Sequence, residues 1–455
     1  MKRRGFSPST RTFQTLFSGL SRIERWNTYT KQLENARGIY DDFHKHITSL
    51  KKHDAYSPDI TPDPLAGYIK ILGNAGQYQE IFDVYYSLDP DGPFSANAII
   101  YTSVLQALAQ LKTTLRNQGI TAPDSWGPKV ASDARLIWNS VLKASGDNLP
   151  GIIDTPLATA AISALSQGAL ADHELAFEIV RDFFGLSKDI ASKKRGHFPL
   201  TRQALGATLR LCNDAKEPAL AVHFFQLVKR SNTSHIIDRL HVEEVIRARY
   251  HLSPGGMGIA AVQLLEWMLE AEKRGASGMQ LRPALSTYNL VLSSCWKAGD
   301  YSSAMTAFEL MTGHHPEDFT DSAVAAGKTP RYTKRPEGRN AFPSAEALSM
   351  MMRTAVASKI RPHMRACLRL VDHIGLDIVL PQRSERASDT TRALKNQNFY
   401  ASKLADAVED AWNAVKGYGN EAGEQELARW RSMVEKTRKY SRSKSEVAKP
   451  TPLLE

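Results

Sequence analysis

The sequence predicts an all-α fold: a solenoid of about eight degenerate helical hairpins followed by a C-terminal helical cap. Two observations predict it. One apolar spacing, i, i+3, i+4, i+7, recurs along the chain and paints one face of a helix each time. The copies also alternate between a first and a second helix, which is the pattern of an internal repeat.

The sharpest copy lies in Ser286–Met311. Tyr288, Val291, Leu292 and Cys295 form one stripe, and Ala304, Ala307, Phe308 and Met311 form the next. Lys297-Ala298-Gly299-Asp300 between them reads as a turn, with Gly299 at a helix C-terminus.

In chain order, the other first helices carry Phe13, Leu16, Phe17 and Leu20, then Leu65, Tyr68, Ile69 and Leu72, then Tyr101, Val104, Leu105 and Leu108. Ala158, Ala161, Ile162 and Leu165 follow, then Leu205, Thr208, Leu209 and Cys212, and finally Leu348, Met351, Met352 and Ala355. A weaker copy starts at Val242 and breaks at Arg249. Second helices are expected around Ala36–Phe43, Ile81–Leu88, Ala134–Val141, Ala176–Phe183, Ala221–Val228, Ala261–Met268 and Cys367–Ile374. Most of these sets begin with alanine, a residue small enough to let neighbouring helices approach closely.

The expected organisation is a repeat array over residues 1–381 with insertions near 113–129 and 314–340, capping helices over 382–440, and a disordered basic tail over 441–455. The cap is expected to line up Ala401, Leu404, Ala405, Val408, Trp412 and Val415. No apolar run approaches the ~18 residues of a membrane span. The three cysteines (Cys212, Cys295, Cys367) form no CxxC pair and read as buried thiols of a reducing compartment.

The net charge of +10 is concentrated. Residues 328–339 set five basic side chains against Glu337, and residues 428–455 set eight against three acidic ones. Such a loop and tail suit a polyanion, or a solvated surface. Arg429, Trp430, Arg438 and Lys439 interleave cations with an aromatic ring and are expected to grip RNA by charge and stacking.

No catalytic or metal constellation emerges. Gly327-Lys328-Thr329 matches the end of a phosphate loop, but Ser322 stands where glycine is needed. His314, His315, Glu317 and Asp318 lie in an insertion with no expected scaffold, so no metal or cofactor is expected. The stretch before Glu24 lacks acidic residues and is rich in Arg and Ser. It reads either as an organellar transit peptide or as a repeat helix.

Thr287-Tyr288-Asn289, Val291-Leu292, the Lys297-Ala298-Gly299 turn, Ala304, Phe308 and Met311 together resemble the pentatricopeptide repeat. Leu72-Gly73-Asn74-Ala75-Gly76 repeats the turn. The resemblance covers roughly residues 1–380 and is similar to mitochondrial members of fungi. It implies a right-handed alpha-alpha superhelix without catalysis, which binds single-stranded RNA at about one base per repeat in the mitochondrial matrix. No DNA is expected as a partner. The mitochondrial ribosome or other RNA-processing proteins are, and the alternative role is a helical protein-docking scaffold or a structural component associated with that ribosome.

Two side chains per repeat carry base identity in that family. By register, these are Gln14, Ala66 with Asn97, Thr102 with Asp154, Thr159 with Thr201, Gly206 with Asp238, Glu243 with Ala284, Asn289 with Ser344, and Ser349. Ala66 and Gly206 have nothing to offer a base edge, and Glu243 would set a carboxylate near phosphates. Two or three units are therefore expected to confer preference, with charge and stacking supplying the rest.

Overall fold

The computed structural model describes the chain apart from residues 1–7, 24–25, 55, 121–122, 124, 147–150, 189–194, 253–255, 276–279, 337–338, 381–391, 418–422 and 446–455, and apart from the side chains of 27, 392–397 and 438–445. The described residues are helical with short connections and contain no strand, only the isolated bridges Asp89–Ser95 and His314–Tyr332. The chain divides into two compact units, Met1–Ile236 and Ile237–Glu455.

The first unit holds five hairpins: α1 (Thr10–Leu20) with α2 (Thr30–His53), α3 (Asp63–Ala75) with α4 (Tyr78–Tyr86), α5 (Ala98–Asn117) with α6 (Trp126–Ser145), α7 (Thr155–Leu165) with α8 (Leu170–Phe184), and α9 (Arg202–Asp214) with α10 (Pro218–Arg230). Each first helix packs on the next: α1 on α3, α3 on α5, α5 on α7 and α7 on α9. This layer is dry, with Leu65, Ile69, Leu72, Val104, Leu105 and Leu108 fully buried. Thr10–Leu20 forms a helix of this layer, and Phe17 lies against Tyr68 of α3 with ring centroids 5.3 Å apart.

Two glycines of α3 set the spacing of this layer. A Cβ on Gly67 would fall 2.8 Å from Phe17 Cβ, and one on Gly73 would fall 2.9 Å from Ala107 Cβ. A helical glycine costs about 1 kcal/mol against alanine, so its presence at a crossing reflects close approach. Gly73→Val is expected to cost about 1–3 kcal/mol through overpacking, seen as an earlier thermal transition.

The second helices are joined differently, by polar bridges. Arg37 of α2 grips Glu80 of α4 through Nε at 3.0 Å and Nη2 at 2.5 Å. The Tyr78 hydroxyl of α4 donates to Asp133 of α6, whose carboxyl is raised by burial. Arg135 of α6 donates to Asp172 of α8 at 3.0 Å through Nε. Asp172 also accepts from the Ala169 N–H at the start of α8, so one buried carboxylate serves as both a bridge and a helix cap.

The second unit holds α11 (Arg239–Leu252) with α12 (Met257–Lys273), α13 (Leu285–Ala298) with α14 (Tyr301–Thr312), a short α15 (Asp321–Ala325), α16 (Ala345–Ala357) with α17 (Arg361–Ile374), a short α18 (Leu376–Val379), and the long α19 (Arg392–Val415) and α20 (Glu424–Ser445). First helices again pack in series, α11 on α13, α13 on α16 and α16 on α19. Val242, Val245 and Ile246 are buried, so the weak copy at Val242 still forms a full helix. Within α19, Ala401, Leu404, Ala405, Val408 and Val415 are buried as expected, and Trp412 is half-buried.

Several expectations are corrected. Leu16 is exposed rather than buried, because among the described residues no first helix precedes α1 to cover that side. At the stretch 113–129, α5 continues to Asn117 and α6 starts at Trp126.

The stretch 314–340 does have a scaffold. Asp318 is buried and accepts from Arg331 N at 2.9 Å and Arg331 Nη2 at 2.9 Å. Asn340 Nδ2 donates to the carbonyls of Thr312 at 2.7 Å and Thr333 at 2.8 Å. The Arg331 hydrogen bond holds the Asp318 carboxyl below its ordinary value. No group of three or more His, Cys, Asp or Glu side chains able to hold a metal ion occurs among the described residues.

Candidate nucleic-acid interface

The second members of the nominated pairs sit at the starts of the first helices, and there most of them cap. A helix N-terminus leaves its first N–H groups without intrahelical partners, and Asn, Asp, Ser or Thr just before it satisfies one of them. Asn97 Oδ1 accepts from Ile100 N at 3.1 Å, and its Nδ2 donates to Asp63 Oδ1 at 2.8 Å. Asp154 Oδ1 accepts from Leu157 N at 2.8 Å. Thr201 Oγ1 accepts from Ala204 N at 3.2 Å, and Ser344 Oγ from Ala347 N at 3.2 Å. Asp238 accepts from Leu240 N and His241 N. These residues stabilise helices, and Asn97 has both ends of its amide occupied.

The other members differ in accessibility. Gln14 is exposed and Thr102 half-buried, while Thr159 turns its hydroxyl onto the Thr155 carbonyl at 2.7 Å. Asn289 is 8% exposed and donates from Nδ2 to Glu346 Oε2 at 2.7 Å, whereas its buried Oδ1 has no hydrogen-bond partner.

Three expectations are overturned. Ser349 is fully buried and donates to the Glu346 carbonyl at 2.8 Å, so it cannot meet a strand. Glu243 is buried and accepts from Ser286 Oγ at 3.1 Å and Thr287 Oγ1 at 2.7 Å, which ties α11 to α13 and leaves the carboxylate off the surface. Trp430 is fully buried beneath Arg369 rather than available for stacking. The physical reason is that Trp430, Met433, Val434 and Thr437 follow i, i+3, i+4, i+7, and that stripe faces inward. Arg429 is exposed but paired with Asp372 at 3.1 Å. Arg438, Lys439 and the tail from 446 lie outside the described side chains and residues.

Another row emerges one turn further along the first helices. Residues four apart share a helix face, so each nominated first reader points to a neighbour. In the first unit these are Ser18, Lys70, Gln106, Ser163 and Arg210, all exposed or half-buried and none acidic. In the second unit they are Arg247, Ser293 and Arg353. Arg247 is paired with Glu244 at 2.8 Å. A face with cations and neutral hydrogen-bonding groups and no carboxylate in the row suits a phosphate backbone.

Cys212, Cys295 and Cys367 are all free and buried. Burial pushes the Cys295 and Cys367 thiols up to about 12, so they remain protonated and inert at neutral pH. No helix among the described residues is long and apolar enough to cross a membrane. No protein-family model and no curated protein sequence matches the chain.

Proposed function

We propose that the chain is a non-catalytic, pentatricopeptide-repeat-like RNA-binding protein. Its hairpins wind as a right-handed superhelix, and an unpaired RNA strand lies along the first helices. It acts in mitochondrial RNA maturation, stability or translation. The observation that carries this reading is the carboxylate-free row Ser18, Lys70, Gln106, Ser163 and Arg210 on successive first helices. The Ser286–Met311 resemblance and the concentrated positive charge support it further.

The capping roles of Asn97, Asp154, Thr201 and Ser344 favour a sequence-tolerant grip over a full base-by-base code. Phosphates then supply most of the affinity, and affinity falls steeply with salt.

The test is fluorescence anisotropy with a labelled unpaired RNA dodecamer in a salt series. Wild-type protein is expected to bind at low salt and to lose affinity as salt rises. The double variant Lys70→Glu/Arg210→Glu should weaken binding to all sequences alike and lower the log–log salt slope by about 1.4, roughly 0.7 for each lost phosphate contact. No binding of wild type at low salt would overturn the reading and leave a helical protein-docking scaffold.

A further inference from the structure

A second feature of the first-helix face lies in the second unit, around Arg353 of α16. The guanidinium carbon of Arg353 sits 3.6 Å from the centroid of the Trp296 ring of α13. Both side chains are half-buried. A guanidinium stacked by its flat face keeps its N–H donors at the edge, in the fork that matches phosphate oxygens.

What distinguishes Arg353 is the company it lacks. The buried arginines of α17 face carboxylates: Arg365 lies 2.6 Å from Asp321 Oδ2, and Arg369 lies 2.6 Å from Glu426 Oε1. Among the described residues, Arg353 Nη1 instead reaches the Met350 sulfur at 4.0 Å, a weak acceptor. Burial lowers the pKa of Arg353. Among the described residues Arg353 is therefore a partly desolvated cation in no ion pair with a carboxylate, which is unfavourable unless a ligand supplies an anion.

Its surroundings suit a nucleotide chain. Tyr250 carries Lys297 3.8 Å from its ring centroid, which adds a second cation beside an aromatic ring. Burial and the hydrogen bond to Glu346 push Tyr400 up to about 12, so its hydroxyl stays protonated. Seven residues before Trp296 on α13, about 10 Å along the helix axis, lies Asn289. Its Nδ2 is held by Glu346 at 2.7 Å, and its buried Oδ1 has no hydrogen-bond partner. That oxygen is enclosed, so Asn289 belongs to the α13–α16 contact rather than to the exposed face.

We infer that Arg353, placed 3.6 Å over the Trp296 ring, seats one phosphodiester of an unpaired RNA strand, with Tyr250 and Tyr400 beside it. This inference rests on the RNA-binding reading and adds to it a defined phosphate seat. Glu346 keeps its negative charge, but that carboxylate is hydrogen-bonded by Asn289 and Tyr400 rather than paired with Arg353.

The test compares wild type, Arg353→Gln and Arg353→Lys for binding of an adenosine and a uridine RNA dodecamer over a salt series, with thermal melts as folding controls. Arg353→Gln is expected to weaken both RNAs by about tenfold and to reduce the salt slope by about 0.7. Arg353→Lys should restore the slope but only part of the affinity, because ammonium lacks the planar fork. Wild-type binding with unchanged affinity and slope in a folded Arg353→Gln protein would overturn the seat and leave the RNA reading intact. Absence of wild-type binding would overturn both. A titration with inorganic phosphate at matched ionic strength separates the sources: displacement of RNA from wild type at millimolar phosphate would assign the seat to a free anion and overturn the strand proposal.

Discussion

Phe308→Ala is expected to destabilise the second unit by about 3–5 kcal/mol, because it deletes a large side chain from a site with no solvent exposure. Phe308 shares its face of α14 with Ala304, Ala307 and Met311, all fully buried, and α14 packs against α12, α13 and α16. Small neighbours such as Ala304 and Ala307 cannot swing in to fill the space, so the cavity term adds to the lost burial. For a unit of this size the loss corresponds to a transition lowered by about 6–20 °C. Differential scanning calorimetry reads it directly, and an unchanged transition would show that Phe308 is not part of the core. Phe308→Leu keeps most of the volume and should cost less than half as much.

The second large effect is expected at Arg369→Ala. This side chain is 5% exposed and joins three elements: it donates to Asp321 Oδ1 of α15 at 2.7 Å, to Glu426 of α20 at 2.6 Å, and to the Phe319 carbonyl at 3.2 Å. Removing it leaves Glu426 without its guanidinium and Asp321 with Arg365 alone. Breaking one side of a buried ion pair costs about 3–5 kcal/mol, chiefly through the stranded charge. Trp430 lies 5.7 Å from this guanidinium, so loosening α20 should shift tryptophan emission to the red before global unfolding. Arg369→Met combined with Glu426→Gln removes both charges and should recover part of the loss. A double variant no better than Arg369→Ala would refute the stranded-charge explanation.

The same network has a pH dependence of defined sign. Burial alone would raise the Asp321 carboxyl, but hydrogen bonds from Arg365 and Arg369 outweigh it and hold the group below its ordinary value. A depressed folded-state pKa contributes stability above the unfolded carboxyl value, about 4, and that stability is lost as pH falls through the folded value. Acid below about pH 4 should therefore loosen α15 and α20 from α17.

The helices were legible because their signal is local. Leu65, Tyr68, Ile69 and Leu72 announce a buried face by spacing alone, and all four are buried. Leu16 broke the rule because burial depends on a neighbour as well as on spacing. Trp430 was misread for the opposite reason: its partners Met433, Val434 and Thr437 showed the familiar spacing, but the basic residues between them drew attention to the exposed face. The capping roles of Asn97, Asp154, Thr201 and Ser344 were also legible in principle, since each stands immediately before a helix.

The interface itself was less so. Asn289 with Glu346 and Arg369 with Glu426 are each 57 residues apart, and nothing in a single sequence links such positions. Trp296 and Arg353 face the same barrier. A stacked cation becomes visible only once α13 and α16 are placed side by side.

Photocrosslinking of a 4-thiouridine-containing RNA to the full chain at low salt, with the attached peptides identified by mass spectrometry, tests the proposed RNA-binding face most directly. Crosslinks should fall on first helices, in peptides spanning Lys70, Gln106, Arg210 and Arg353. Crosslinks confined to second helices such as α4, α6 and α8, or none above a denatured control, would contradict a strand lying along the first-helix face.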